Sequence, residues 1–234
     1  MYRFFKRAFD FFAALLALII TSPIWLITII GIEISDPGPI FYKARRIGYL
    51  GREFRMYKFR SMRVPKTQKE ASEASFKADT DRIFPFGAFI RKLKIDELPQ
   101  LLNILSGDMA IVGPRPASID QVAIMRDGKY AVANTVKPGL TGPAALYDYI
   151  YGDTVEDLAE YEKSVLPDRR ELEAFYPSHM SVGFDLKMIF WTVACIFASI
   201  FGKNPDKIFM KLTEYAKTER LSDNAETEEY VNVR

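Results

Sequence analysis

The sequence predicts an α/β, helix-rich chain: an N-terminal re-entrant membrane helix-break-helix, then a small cytoplasmic domain with a β-hairpin and interfacial helices. Three features point to it. An apolar run from Phe11 to Ile32 has Ser22-Pro23 at its midpoint and basic residues on both flanks. Two short aromatic-rich segments surround a Gly-Tyr-Leu-Gly turn, and helical patterns with recognisable caps fill much of the remainder.

The apolar run decides the first element. At roughly 1.5 Å per residue, its 22 residues could cross a hydrocarbon core of about 30 Å as one helix. A cleaved signal peptide fits poorly, because no small-x-small site follows the run at Gly31-Ile32-Glu33-Ile34. Arg3, Lys6 and Arg7 precede it, and Lys43, Arg45, Arg46, Arg52, Arg55, Lys58, Arg60 and Arg63 follow it. The positive-inside tendency therefore pulls both ends to the cytoplasm. Pro23 removes a backbone donor and kinks a helix, and each half is too short to cross alone. Ser22 can bond back to the freed carbonyl. The expectation is a hairpin over residues 1–35 that enters and leaves one leaflet, with Ser22 and Pro23 as its break.

Composition supports a folded body behind it. The chain has 234 residues, 49% hydrophobic and 26% charged, which argues against general disorder. Residues 1–63 carry 11 Lys/Arg against 4 Asp/Glu, whereas 212–234 carry 3 against 6. A basic front suggests an anionic partner. One cysteine, Cys195, allows no intrachain disulfide and fits a reducing compartment.

Asp36-Pro37-Gly38-Pro39 is a turn cluster that ends the hairpin helix. Ile40–Tyr42 and Phe54–Phe59, either side of Gly48–Gly51, predict the β-hairpin. Residues 64–81 lack periodicity and read as a mobile surface loop. Leu98, Leu101, Leu102 and Leu105 mark one face of a helix, with Pro99 in its first turn, Asp96 at or near its N-cap and Gly107 at its end. Asp153–Glu156 resembles a capping box opening a second helix closed by Pro167. Met188–Phe201 is too short to span a bilayer and reads as a core or an interfacial helix. The domain is expected over 36–202, with 203–234 a polar extension. No internal repeat is present.

Asp96-Glu97 is the candidate reactive pair. Adjacency alone means little, since Glu156-Asp157 and Glu228-Glu229 are equally adjacent and an N-cap plus a first-turn acid explains the pair structurally. Context favours chemistry: Arg91, Lys92 and Lys94 lie just upstream, and Gly113-Pro114-Arg115-Pro116 supplies a framed arginine downstream. A helix N-terminus suits phosphate, and a carboxylate there beside cations is expected to stay ionised, as nucleophile or magnesium ligand. The sum is a phosphate-handling site beside a membrane.

The sequence has no G-x-x-x-x-G-K-[ST] loop, no G-x-G-x-x-G fingerprint and no metal-binding Cys/His cluster. The lone His179 reads as a surface or loop residue. The basic stretch Lys43–Arg63 interleaves aromatics, yet its place just behind a membrane segment makes anionic lipid head groups, not nucleic acid, the expected partner.

These motifs, in order, closely resemble the bacterial sugar transferase family, the monotopic phosphoglycosyl transferases. The matching pieces are KRAFD at 6–10, SP at 22–23, DPGPIFYKARRIG at 36–48, YKFRSM at 57–62, DRIFPFGAFIRKLKIDELPQLLNILSGDMAIVGPRP at 81–116, VKPGLTG at 136–142 and DLKMIFWTV at 185–193. The resemblance implies that the 36–202 domain is catalytic. Asp96 would be the nucleophile on the β-phosphate of a UDP-sugar, expelling UMP and leaving a phosphosugar–enzyme intermediate. Glu97 would be its partner, with magnesium (Mg2+) at Asp96, and Arg91 and Arg115 would be phosphate ligands. A polyprenol phosphate such as undecaprenyl phosphate would then take the phosphosugar, giving a polyprenyl diphosphate sugar. That is the first membrane step of surface glycoconjugate assembly, at the cytoplasmic face of the bacterial inner membrane. After 142 the chain departs from the family pattern with PAALYDYIYGDTVEDLAEYEKSVLP, which leaves the sugar undetermined; the oligomeric state, a dimer included, stays open too. Two other readings remain: a membrane-tethered basic scaffold, and a metal-dependent phosphate-ester hydrolase.

Overall fold

The computed structural model describes residues 2–64, 82–119, 121–151, 155 and 158–200. They form a helix-rich mixed α/β structure with small sheets, divided into two compact units. The first comprises residues 3–46 and 54–109; the second comprises 47–53 and the chain from 110 onward. Residues 65–81 of the expected loop, the 203–234 extension and residues 153, 154 and 156 of the expected capping box lie outside the described residues.

In the first unit, helix α1 (Tyr2–Ser35) is 34 residues long and carries Pro23 inside it. It is the helix, among those described, long and apolar enough to cross a membrane, and only 11% of its most apolar window is buried. Phe12, Ile20 and Leu26 stand exposed. Trp25, Ile29 and Ile32 recur at helical spacing and face a small core with Phe59, Phe84 and Ile90. Each fully buried side chain of this core contributes roughly 1.5–3 kcal/mol. The Trp25 ring meets Phe59 edge-on at 5.1 Å, and Phe41 stacks on Phe59 at 5.5 Å. Gly31 permits this closeness, since a Cβ there would lie 2.3 Å from the Phe86 ring.

Pro23 has no N–H to offer the carbonyl of Ile19, four residues back, and Ser22 Oγ donates to that same oxygen at 2.8 Å. Thr21 Oγ1 donates to Ala17 O at 2.7 Å in the preceding turn. The hydroxyl substitution expected at Ser22 is therefore present, within one assigned helix.

Strands β1 (Phe41–Ile47) and β2 (Glu53–Phe59) pair as the expected hairpin. The Asp36–Pro39 turn closes around the buried Arg60: its guanidinium pairs with the Asp36 carboxylate and donates to Pro39 O at 2.5 Å. Helix α2 (Pro85–Lys92) begins with proline, where the missing N–H costs nothing. Helix α3 (Gln100–Ser106) ends at Gly107 in the left-handed region, φ 94°. Its last carbonyls are also capped from α1: Arg7 donates to Ile104 O at 2.5 Å and Leu105 O at 3.0 Å.

In the second unit, β3 (Ala110–Val112) and β5 (Gly139–Thr141) pair in parallel, Ala110 opposite Gly139 and Val112 opposite Thr141. Gly139 is required there, because a Cβ would sit 2.1 Å from Gly113 N. A short strand β4 (Ala117–Ser118) and helix α4 (Val122–Met125) lie between them in the chain. Helices α5 (Pro143–Ile150), α6 (Leu158–Ser164), α7 (Leu166–His179) and α8 (Val182–Ile200) follow. Their core joins Val112, Leu146, Tyr147, Leu172, Phe175, Tyr176 and Met188. Pro167 opens α7 instead of merely closing the helix before it, since proline fits a first turn. His179 is the last residue of α7, stacked on Phe175 at 3.6 Å, not a loop residue. Helix α8 divides by face from Met188 onward: Met188 and Cys195 are buried, whereas Phe190, Val193 and Phe197 are exposed.

Candidate active site

Alternation along the hairpin builds one wall of a cleft in the first unit. Successive strand residues point to opposite faces, so Met56, Lys58 and Arg60 of β2 and its extension share a face with Tyr42, Ala44 and Arg46 of β1. All six line a cleft of about 510 Å³. Arg63, Arg82, Arg91 and Asp96 complete its charged lining. Six cations therefore face one carboxylate among the described lining residues, and Arg60 is already neutralised by Asp36. Such a cleft selects for a polyanion.

The opposite wall depends on two close fits. Gly87 lets α2 lie flush on the end of β2, as a Cβ there would meet Ser61 O at 2.1 Å. Lys94 then adopts φ 55°, ψ 19°, a left-handed turn uncommon for a side-chain-bearing residue. It reverses the chain from α2 into a single 3-10 turn, Ile95–Glu97, and both Arg91 and Asp96 end on the cleft. Asp96 thus lies one turn ahead of α3 and is not its N-cap, because Leu98 and Pro99 are themselves helical and Pro99 occupies the cap position.

Asp96 is 5% exposed, and its Oδ1 is buried with no hydrogen-bond partner among the described residues. Burial pushes its carboxyl up from 3.8 to about 6; Lys58 pulls the other way, Glu97 adds to the rise, and Arg91 and Lys94 oppose it more weakly. The net shift is upward because desolvation outweighs the neighbouring cations, and a carboxyl near 6 still leaves the acid mostly ionised at neutral pH. Lys58 Nζ stands 2.9 Å from Glu97 Oε1 and 3.9 Å from Asp96 Oδ2, serving both acids from β2. Gln100 Nε2 donates to Glu97 Oε2 at 3.3 Å.

Asn103 fixes this arrangement. It is fully buried, accepts from Tyr57 N at 2.9 Å and donates to Arg55 O at 2.8 Å. One amide thereby splices α3 onto the backbone of β2 and sets Lys58 opposite Asp96-Glu97. The buried face of α3 is consequently Gln100, Leu101, Asn103 and Ile104; of the leucine stripe, Leu101 is buried and Leu98 packs against the Phe59–Phe84 core, whereas Leu102 and Leu105 are half-buried.

Of the residues expected to act together, the structure joins Asp96, Glu97 and Arg91 in this unit. Arg115 belongs to the second unit, where its guanidinium pairs with Asp148 at 3.3 Å. Ser22 and Pro23 lie in α1, exposed. The basic stretch read as lipid-facing divides: Lys43, Arg45, Arg52 and Arg55 are exposed, but Lys58 and Arg60 turn inward.

A carboxylate at the end of a cationic cleft, in a chain that opens with an apolar helix, matches a known pattern along most of its length. The pattern of the bacterial sugar transferases covers residues 1–199. The chain belongs to this family.

Among curated relatives, it is 36% identical over 194 residues to the UDP-glucose:undecaprenyl-phosphate glucose-1-phosphate transferase of Escherichia coli K12, covering 82% of this chain and 40% of that one. It is 38% identical over 194 residues to the uncharacterized sugar transferase EpsL of Bacillus subtilis 168, covering 83% and 88%. An Aeromonas hydrophila UDP-N-acetylgalactosamine-undecaprenyl-phosphate N-acetylgalactosaminephosphotransferase is 34% identical over 200 residues, covering 84% and 44%. The chain thus spans about two fifths of the length of two of these relatives and most of the third. In this bacterial sugar transferase, Lys58 and Asn103 are the site residues that motif reading misses. Lys58 carries a signal, a lysine on the inward-alternating face of a strand; Asn103, inside an apolar helical pattern, carries one only as a polar interruption.

Proposed function

We propose that the chain transfers a sugar-1-phosphate from a UDP-sugar to undecaprenyl phosphate, with Asp96 as covalent nucleophile. The observation that carries this reading is the desolvated Asp96 facing a cleft lined by Lys58, Arg63, Arg82 and Arg91. The names of the E. coli and Aeromonas relatives support the donor and acceptor classes.

In the first step an Asp96 oxygen bonds the β-phosphorus, and the bond from that phosphorus to the bridging oxygen breaks, so UMP leaves with the electron pair. In the second, an oxygen of the acceptor phosphate bonds the same phosphorus, and Asp96 departs as carboxylate. One phosphoanhydride replaces another, so the chain's task is positioning and charge stabilisation. Lys58 and Arg91 bind phosphate oxygens, and Glu97 holds Lys58 in place. With a carboxyl near 6, Asp96 is largely ionised at neutral pH yet poorly solvated, which suits a nucleophile. The orphaned Asp96 Oδ1 is a hard oxygen donor that fits magnesium, with substrate phosphates and water as the further ligands it would need. Bound there, magnesium would offset phosphate charge.

The membrane arrangement belongs to the same reading: α1 enters and leaves the cytoplasmic leaflet of the bacterial inner membrane, bending at Ser22-Pro23, and the exposed Lys43, Arg45, Arg52 and Arg55 meet anionic head groups. The back-bond from Ser22 to Ile19 O supports it, since it removes the cost of a bare carbonyl in lipid at a kink.

The test is UMP release by purified protein with magnesium, undecaprenyl phosphate and a panel of UDP-sugars. Turnover that requires the lipid and is lost in Asp96→Asn is expected. Steady release without lipid would identify a hydrolase, and full turnover in Asp96→Asn would remove the nucleophile.

A further inference from the structure

Helix α2 is eight residues long and rests on the first unit by a narrow face, Gly87 and Ile90. Most of its remaining surface is open, since Pro85, Ala88, Phe89, Arg91 and Lys92 are exposed. That open surface has two unlike edges. One is aromatic: the Phe86 ring lies on α1 at Gly31, where a Cβ would come within 2.3 Å of it, and the Phe89 ring follows 5.9 Å from Phe86. The other is cationic. Arg91 lines the cleft that holds Asp96, and its Nη1 donates to Met62 Sδ at 3.7 Å, a weak acceptor that a phosphate oxygen readily displaces.

The aromatic edge continues onto α1. Ile27, Ile30 and Ile34 lie within about one turn of Gly31 and are 64%, 50% and 79% exposed, and Phe89 is 54% exposed. On this apolar surface the helix long enough to cross a membrane meets the short helix that carries Arg91. Exposed patches of this kind mark lipid or partner contacts. The cationic cleft beside it selects among them. A free nucleotide has no use for the phenylalanines, and an apolar partner surface has none for the arginine. A molecule with a hydrocarbon tail and a phosphate head uses both edges. Its tail must cross α2, which is about 10–12 Å wide with its side chains.

We propose that Phe86 and Phe89 form the contact surface for the isoprenoid tail of a polyprenol phosphate, which lies over α2 with its phosphate in the cleft beside Arg91. This deepens the transferase reading: it rests on the acceptor class assigned there and adds where the acceptor's tail runs. The phenylalanines select the acceptor and take no part in the attack on the donor. Their rings offer a large apolar area with few rotatable bonds to order.

The test compares full-length wild type with Phe89→Ala in detergent micelles, using undecaprenyl phosphate or dimethylallyl phosphate as acceptor. Phe89 is exposed, so its truncation leaves the core untouched. KM for undecaprenyl phosphate should rise about tenfold in Phe89→Ala, with KM for the UDP-sugar unchanged. Phe89→Leu should recover most of the loss. Dimethylallyl phosphate, whose single isoprene unit is too short to cross α2, should serve both proteins equally poorly. Phe12→Ala, which trims an exposed ring elsewhere on α1, should leave the acceptor KM alone. An unchanged acceptor KM in Phe89→Ala would overturn the proposal, as would an equal rise in Phe12→Ala or with the short acceptor. A diazirine-bearing polyprenyl phosphate gives a readout independent of turnover. It should label residues 85–92, and undecaprenyl phosphate should compete where phosphatidylglycerol does not. Equal competition by both would make this surface a bulk-lipid contact and end the proposal. Selective labelling in a protein that releases no UMP from any donor would keep the lipid site and remove the transferase reading.

Discussion

Lys58 Nζ lies 2.9 Å from Glu97 Oε1 and 3.9 Å from Asp96 Oδ2, so a single cation on a strand serves both members of a carboxylate pair on a facing turn. Lys58 is also the strongest influence holding the Asp96 carboxyl down against burial. Removing it, as in Lys58→Met, lets burial act unopposed by that charge, and the acid limb of the activity profile moves to higher pH. Activity should fall about a hundredfold at pH 7 and proportionately less at pH 9. A kcat profile from about pH 5 to 9 checks this, and Lys58→Arg should recover part of the rate.

The same burial makes Asp96 a liability for stability. Its folded-state value of about 6 exceeds the ordinary 3.8. Below the ordinary value the group is neutral in both states and costs nothing. As pH rises through about 6 the folded state must carry a buried charge, and stability is lost. The rise from 3.8 to about 6 corresponds to about 3 kcal/mol at neutral pH and above. Asp96→Asn should therefore raise the melting temperature at about pH 8, in chelator, and give no advantage near pH 4. Magnesium should raise the wild-type melting temperature and leave that of the variant unchanged. Thermal unfolding at both pH values, with and without the metal, reads all of this.

The apolar run, the hairpin around Gly48–Gly51 and the helix stop at Gly107 are local features, written in neighbouring residues, and all three are legible in the sequence. Asp96, Glu97 and Arg91 sit close together in the chain and are legible as a group for the same reason. The partnership of Lys58 with Glu97 spans 39 positions, and nothing local announces a pair so distant. The buried face of α3 departs in part from the leucine pattern for a related reason. Its inward side meets strand backbone, which wants the amide of Asn103 more than another leucine. The rise at Asp96 is hidden because charge is visible in a sequence, whereas desolvation depends on the fold.

Asn103 provides a stability prediction free of any catalytic assumption. Replacing it by Leu leaves Tyr57 N and Arg55 O without their buried partner. The cost should be about 2–4 kcal/mol, with activity falling as α3 loses its register on β2. Denaturation of Asn103→Leu beside wild type measures it, and Asn103→Asp should not rescue, because the donor to Arg55 O is lost.

The re-entrant reading of α1, proposed from Pro23 inside it, makes a prediction about topology. A straight helix of 34 residues would be about 51 Å long, more than enough to cross a bilayer. Pro23→Leu, by restoring the donor to Ile19 O, should let α1 cross and carry its N-terminus to the far side, with loss of activity. A Tyr2→Cys reporter on a Cys195→Ser background, labelled by an impermeant thiol reagent in sealed inside-out and right-side-out vesicles, distinguishes the two arrangements. Unchanged sidedness and activity in Pro23→Leu would end the re-entrant reading.

Covalent catalysis by Asp96 can be read from the mass of the intact protein after brief exposure to a UDP-sugar and magnesium without lipid acceptor. A two-step mechanism predicts a gain of one sugar phosphate, located at Asp96 by peptide mapping, discharged on adding undecaprenyl phosphate and absent in Asp96→Asn. If the protein transfers sugar phosphate efficiently while rapid quenching shows no adduct at any time, Asp96 is not a covalent nucleophile, and direct attack by the acceptor replaces the two-step scheme.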